Sequence, residues 1–178
     1  CETFHSLPMK VNKRNPIIHF LQCYIQHYDP ERYWRYRDKV MAPTNGKLAL
    51  AMNYIRLMYV KWCDAYNNAS LGTDIGRGAR FASIPDLPHG LNGIIINPNC
   101  VIGRNAKIFH QVTLGDYGRG EFDAPTIGDN VTIGAGAKII GRIRIGDNVK
   151  IGAGAIVVDD VPDNSTVVGP KARIITKD

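Results

Sequence analysis

Ile127–Arg144 reads IGDNVTIGAGAKIIGRIR, and the next eighteen residues, Ile145–Pro162, read IGDNVKIGAGAIVVDDVP. The two segments agree at ten positions, and each contains a six-residue beat. Ile127, Ile133, Ile139, Ile145, Ile151 and Val157 recur without a slip, and Ile96, Ile102, Ile108 and Leu114 extend the beat upstream. Two residues before most of them stands a small or β-branched residue: Cys100, Ala106, Val112, Val131, Ala137, Ile143, Val149 or Ala155. Period six with glycines inside every unit is not a helical pattern, since glycine weakens helices. It fits a short strand that points one aliphatic side chain inward, followed by a Gly, Asp or Asn corner. Three such sides make an 18-residue coil, and stacked coils bury a continuous aliphatic column.

Upstream the rhythm is helical. In NPIIHFLQCYIQHY, Ile17, Leu21, Tyr24, Ile25 and Tyr28 fall at helical spacing. Asp29-Pro30 predicts a cap and first-turn proline for a second helix, ERYWRYRDKV. Asn45 predicts the cap of a third, with Leu48, Met52, Ile55, Tyr59 and Trp62 as its apolar packing stripe. We therefore expect a helical segment over residues 1–66, for support or oligomerisation, and a β domain over 67–178. At 178 residues, 44% hydrophobic and 21% charged, the chain has a globular composition. Residues 1–66 hold ten Lys/Arg against five Asp/Glu, and the remainder twelve against eleven. That basic balance suits a solvated helical face and is compatible with proximity to an anionic membrane surface. Without a groove-entering or aromatic-interleaved motif, nucleic acid is not an expected partner.

Cys1, Cys23, Cys63 and Cys100 show no C-x-x-C spacing, which argues for a reducing cytoplasm and against structural zinc. The opening residues lack the pattern of a signal peptide. Cys1 in place of Met suggests a trimmed or processed start. Arg56 and Lys61 interrupt the longest apolar stretch, Leu48–Cys63, so it is not expected to span a membrane.

Asn67–Ile175 resembles the hexapeptide-repeat acyltransferases, most of all the serine acetyltransferases and their sugar O-acetyltransferase relatives. The stretches that carry the resemblance are HGLNGIII, VTLG at Val112–Gly115, IGAGAKIIG, IGAGAIVVDDVP and VVGPKARII at Val167–Ile175. It implies a mainly β fold, a left-handed parallel β-helix behind the N-terminal helices, where the ordinary crossover rule would give a right-handed one. It also implies a homotrimer with sites between neighbouring subunits, and acetyl-CoA as co-substrate.

The beat breaks twice, around His89 in DLPHGLNGIII and over Gly115–Thr126, which separates Leu114 from Ile127 by thirteen residues. Breaks in repeat arrays map to loops on the binding face. Ile75, Phe81 and Leu87 are the expected inward residues before the first break. A histidine there suits acetyl transfer to a hydroxyl, because neutral imidazole accepts the acceptor's proton and returns it to the leaving thiolate. No covalent enzyme intermediate is required.

In the serine acetyltransferases the base is a His followed by a G-aliphatic-aliphatic step, and His89 matches it with one extra turn residue. Their orienting carboxylate lies fifteen residues upstream in an Asp-Ile pair, which implies that role for Asp74. His110, in IFHQVTLG, competes for the base role. The Arg-His pair of that group is absent from Phe122-Asp123-Ala124-Pro125, and the helical segment is shorter. Both departures favour a sugar hydroxyl of a cell-surface polysaccharide as acceptor, with L-serine, and hence cysteine biosynthesis, as the alternative. Asp86, Asn92, His110 and Asp116 are the candidate acceptor contacts.

The triplets Gly134-Ala135-Gly136 and Gly152-Ala153-Gly154 stack on consecutive coils, leaving a groove where pantetheine amides can approach the backbone. Lys150, Lys171 and Arg173 are the candidates for the CoA phosphates. A metal-dependent hydratase like the γ-carbonic anhydrases needs three His ligands, which His89 and His110 do not supply, so no metal is expected.

Overall fold

The computed structural model describes residues 23–118 and 123–170. Within them three four-stranded parallel sheets form the sides of a prism. After a small antiparallel hairpin of β1 (Thr73–Asp74) and β2 (Arg77–Gly78), the first face stacks β3 (Arg80–Phe81), β5 (Val101–Ile102), β8 (Thr126–Ile127) and β11 (Arg144–Ile145). The second face stacks β6 (Lys107–Ile108), β9 (Thr132–Ile133), β12 (Lys150–Ile151) and β14 (Thr166–Val167). The third stacks β4 (Ile95–Ile96), β7 (Thr113–Gly115), β10 (Lys138–Ile140) and β13 (Ile156–Val157). The chain visits the faces in that order once per coil. Ile102 therefore pairs with Ile127, Ile108 with Ile133 and Leu114 with Ile139.

Every residue of the ten-member beat is buried, from Ile96 to Val157. Each full burial of such a side chain is worth about 1.5–3 kcal/mol, so the column is the main source of cohesion between coils. Polar ladders hold the corner between the first and second faces. Asn105, Asn130, Asn148 and Asn164 adopt φ of 55–60° there, and their side-chain amides bond in series at 3.0–3.1 Å. Asn tolerates this left-handed backbone better than other non-glycine residues.

Two helices precede the prism. In α1 (Pro30–Met41), Asp29 caps the N-terminus by accepting the Arg32 N–H at 3.1 Å, with Pro30 in the first turn, as expected. Arg37 is buried and donates to Thr73 Oγ1 and to the carbonyls of Leu71 and Ala79, which fastens α1 to the base of the prism. In α2 (Lys47–Tyr66) the N-cap is Gly46 rather than Asn45, with no side-chain cap. Of the predicted packing stripe, Tyr59 alone packs against the core. Leu48, Ile55 and Trp62 are 80%, 60% and 50% exposed and Met52 lies on the surface, while α2 buries Asn53, Val60, Cys63 and Asp64. The helix turns a more polar face inward because Asp64 accepts a 2.7 Å hydrogen bond from the Tyr33 hydroxyl of α1. Most of the predicted first helix lies outside the described residues; residues 23–26 are helical. No helix among the described residues is long and apolar enough to cross a membrane.

The entry into the prism differs from expectation at Ile75. It falls in the β1–β2 hairpin, half-buried, and the inward position belongs to Leu71, 1% exposed, whose neighbour Ser70 bridges Ile95 of the third face. Phe81 and Leu87 pack against the core as predicted.

Candidate active site

The corner between the second and third faces carries the site. On successive coils the Gln111 N–H donates to the Asn92 carbonyl, the Gly136 N–H to that of His110, and the Gly154 N–H to that of Ala135. This ladder stacks Asn92, His110, Ala135 and Ala153 in one column. The first coil is longer here, with nine residues from Leu87 to Ile96 against six from Ile108 to Leu114. His89 sits in that bulge, whose turn holds three residues more than the regular side of the next coil. Two turns shape the bulge, Gly90 N–H to Leu87 O and Ile94 N–H to Leu91 O, both 3.0 Å. Leu91 and Ile94 anchor it, each fully buried.

Anchoring brings two imidazoles together. His89 Nδ1 lies 2.6 Å from His110 Nδ1, with ring centroids 4.6 Å apart. Phe109 meets the His89 ring edge-on at 5.8 Å and carries the Lys107 ammonium over its own ring. His89 is exposed and His110 half-buried. Above His110 the column continues as Ala135 and Ala153, which leave that edge of the prism low.

The glycines flanking Ala135 have different tasks. A Cβ on Gly134 would stand 2.6 Å from the Ala153 backbone nitrogen, so its absence lets the coils close. Gly136 adopts φ +69°, and a Cβ there would meet nothing within 4 Å, so it leaves open space beside the column. Gly152 repeats the packing role more loosely, 3.2 Å from the Val167 carbonyl. Lys150 is exposed on β12, two residues before this corner. Lys171 and Arg173 lie outside the described residues.

The other candidates are dispersed. Within the chain no hydrogen bond or ion pair joins Asp74 to His89 among the described residues. Its carboxylate accepts the Ile75 N–H at 2.8 Å and faces the Arg77 guanidinium at 3.7 Å. The physical reason is the hairpin, which occupies the turn from the third face to the first, a different corner from His89. Asp86 pairs with Lys107 at 3.2 Å on the second face. Asn92 contributes its carbonyl to the corner ladder and exposes its side chain. Asp116 is a turn residue at the far edge of the third face, accepting the Asn97 amide at 2.5 Å and the Gly118 N–H at 3.0 Å.

No group of three or more potential ligands for a metal ion occurs among the described residues. Cys63 and Cys100 are fully buried, and burial pushes their thiols up to about 11 and about 12, so neither supplies a thiolate. His89 and His110 form the only imidazole pair among the described residues. Sequence reading named both histidines but not their contact. The available signal was that each stands two residues after an inward aliphatic, Leu87 or Ile108.

Comparison with known proteins agrees with this anatomy. The family described as bacterial transferase hexapeptide (six repeats) matches residues 124–159. A serine acetyltransferase of Helicobacter pylori is 46% identical over 110 residues, 60% of this chain and 63% of the relative. One of Staphylococcus aureus is 45% identical over 109 residues, 60% of this chain and 50% of the relative. The chain thus spans less than two thirds of the length of these relatives. Among solved structures, soybean serine acetyltransferase superposes with a TM-score of 0.61 at 33% identity, covering 79% of this chain and 54% of that one. The Brucella abortus enzyme in complex with coenzyme A gives 0.61 at 29% identity, covering 88% and 56%. The fold is a left-handed parallel β-helix, and over the matched residues the chain is similar to serine acetyltransferases and to the bacterial hexapeptide transferases.

Proposed function

We propose that this protein is an acetyl-CoA-dependent O-acetyltransferase in which His89 takes the proton of the acceptor hydroxyl. The observation that carries the reading is the position of the imidazole pair at the foot of the corner that runs on through Ala135 and Ala153. An extended thioester substrate lying along that low edge would present its carbonyl to His89. The relatives' names and the coenzyme A bound to the Brucella abortus neighbour support the donor.

The chemistry follows from the ring. Neutral His89 accepts the hydroxyl proton as the oxygen attacks the thioester carbonyl carbon. The resulting tetrahedral oxyanion collapses with cleavage of the C–S bond, and the imidazolium returns its proton to the thiolate. General base catalysis of this kind contributes about 10²–10⁴ in rate.

For the acceptor, the relatives favour L-serine over the sugar hydroxyl expected from the sequence. One feature supports a sugar as the second reading: Asp123-Ala124-Pro125 supplies no histidine where the serine enzymes carry one. Trimeric assembly belongs to the same reading and is supported by the outward Ile95 and Ile156 of the third face, 42% and 67% exposed. The test is thiol release from acetyl-CoA with free L-serine, nucleotide sugars and oligosaccharides offered separately. Turnover with L-serine alone establishes the first acceptor, turnover with a saccharide alone the second, and none with any of them rejects the proposal.

A further inference from the structure

We propose that His110 is the positioning residue of His89, holding its proton on Nδ1 and leaving Nε2 bare as the base. The inference rests on His89 being the base and goes beyond it by naming what orients the ring. Two nitrogens 2.6 Å apart require one proton between them. Two bare lone pairs would repel at that distance, and two N–H groups would collide. When both rings are neutral, one has its hydrogen on Nδ1 and the other on Nε2. One Nε2 of the pair is therefore free to accept a proton, and it is never both.

The surroundings assign the roles. His89 is the exposed ring, carried out on the bulge, so its Nε2 is the one an acceptor reaches. His110 is half-buried, in the regular corner, with its carbonyl tied to the Gly136 N–H at 3.0 Å. Among the described residues no carboxylate lies within ion-pair distance of either ring, and Asp74 is engaged with Arg77. The charged neighbours, Lys107 and Asp86, are paired with each other, and from the helical side Tyr28 packs near Gly90. A neutral imidazole thus takes the place of the carboxylate that usually orients such a base. When His89 accepts the substrate proton on Nε2, its Nδ1–H stays donated to His110 Nδ1, and the charge is stabilised by that acceptor.

The test has two arms. In ¹⁵N-labelled protein at alkaline pH, long-range ¹H–¹⁵N spectra should show His89 as the Nδ1–H tautomer, reverting to the usual Nε2–H form in His110→Ala. This arm needs no turnover and stands even if the acetyltransferase reading fails. In kinetics, His110→Ala should lower kcat roughly ten- to a hundredfold, part of what a general base contributes, with the acetyl-CoA KM held within a few-fold. His110→Gln, whose Oε1 can accept the same N–H, should recover most of that loss. An Nε2–H tautomer in wild-type His89, full activity in His110→Ala, or a Gln variant no better than Ala would each overturn the proposal. If His89→Gln stayed active while His110→Gln was dead, the roles would be reversed and the base reading would fall too.

Discussion

Nδ1 of His89 and Nδ1 of His110 lie 2.6 Å apart across 21 residues of chain. A regular coil of this prism is eighteen residues, and the three extra residues between Leu87 and Ile96 make up the difference. The insertion thus does not interrupt the stack at random. It slides a second imidazole onto the one below the column of Ala135 and Ala153, with Leu91 buried to hold the bulge in place. The imidazole contact at this corner follows from a local lengthening of an otherwise repetitive fold.

The two glycines of the Gly134–Gly136 turn should respond differently to alanine. Gly134→Ala places a Cβ 2.6 Å from the Ala153 nitrogen, so neighbouring coils must part and the denaturation midpoint should drop sharply. Gly136→Ala costs about 1–2 kcal/mol for its left-handed backbone, yet its Cβ enters open space beside the site. It should fold and raise the KM for acetyl-CoA several-fold. Chemical denaturation with steady-state kinetics checks both, and the reverse order of stabilities contradicts the packing account.

Inward and outward aliphatics should separate as cleanly. Ile133→Ala removes a fully buried side chain of the column and should cost about 2–5 kcal/mol in urea unfolding. Ile156→Ala, 67% exposed on the third face, should leave the protomer's unfolding free energy almost unchanged. If that face joins subunits, the same substitution should shift the oligomer towards monomer in light scattering.

Much of this was legible in the sequence because burial is periodic. The six-residue beat from Ile96 to Val157 needs no tertiary information: each member meets the member one coil away, and a slip would expose it. The His89 bulge was visible as a break in that beat for the same reason. The separation of Asp74 from His89 within the chain was not legible, because a fifteen-residue spacing implies adjacency only if the coil is regular. The β1–β2 hairpin makes it irregular and gives the position beneath Ile95 to Ser70. The α2 stripe was misread because an apolar face says that burial is available, not which surface supplies it. Here the Asp64–Tyr33 hydrogen bond sets the helix rotation instead.

That hydrogen bond carries a pH signature. Burial lifts the Asp64 carboxyl to about 6 from 3.8, opposed by the Tyr33 hydroxyl it accepts. The folded state therefore binds a proton between these values that the unfolded chain has released. The associated stability is fully present below pH 4 and is lost as pH rises through 6, on the order of 3 kcal/mol at about 1.4 kcal/mol per unit. Urea midpoints across pH 4–7 should fall with this slope from Asp64, and Asp64→Asn should flatten it. An unchanged slope in the variant would contradict the assignment.

His89 as the base is tested most directly by acceptor-dependent thiol release from acetyl-CoA by His89→Gln beside the wild type. The ring is exposed, so circular dichroism and coenzyme A affinity should be unchanged while kcat drops by about a hundredfold or more. A His89→Gln enzyme that folds, binds coenzyme A and turns over within a few-fold of the wild type would contradict it.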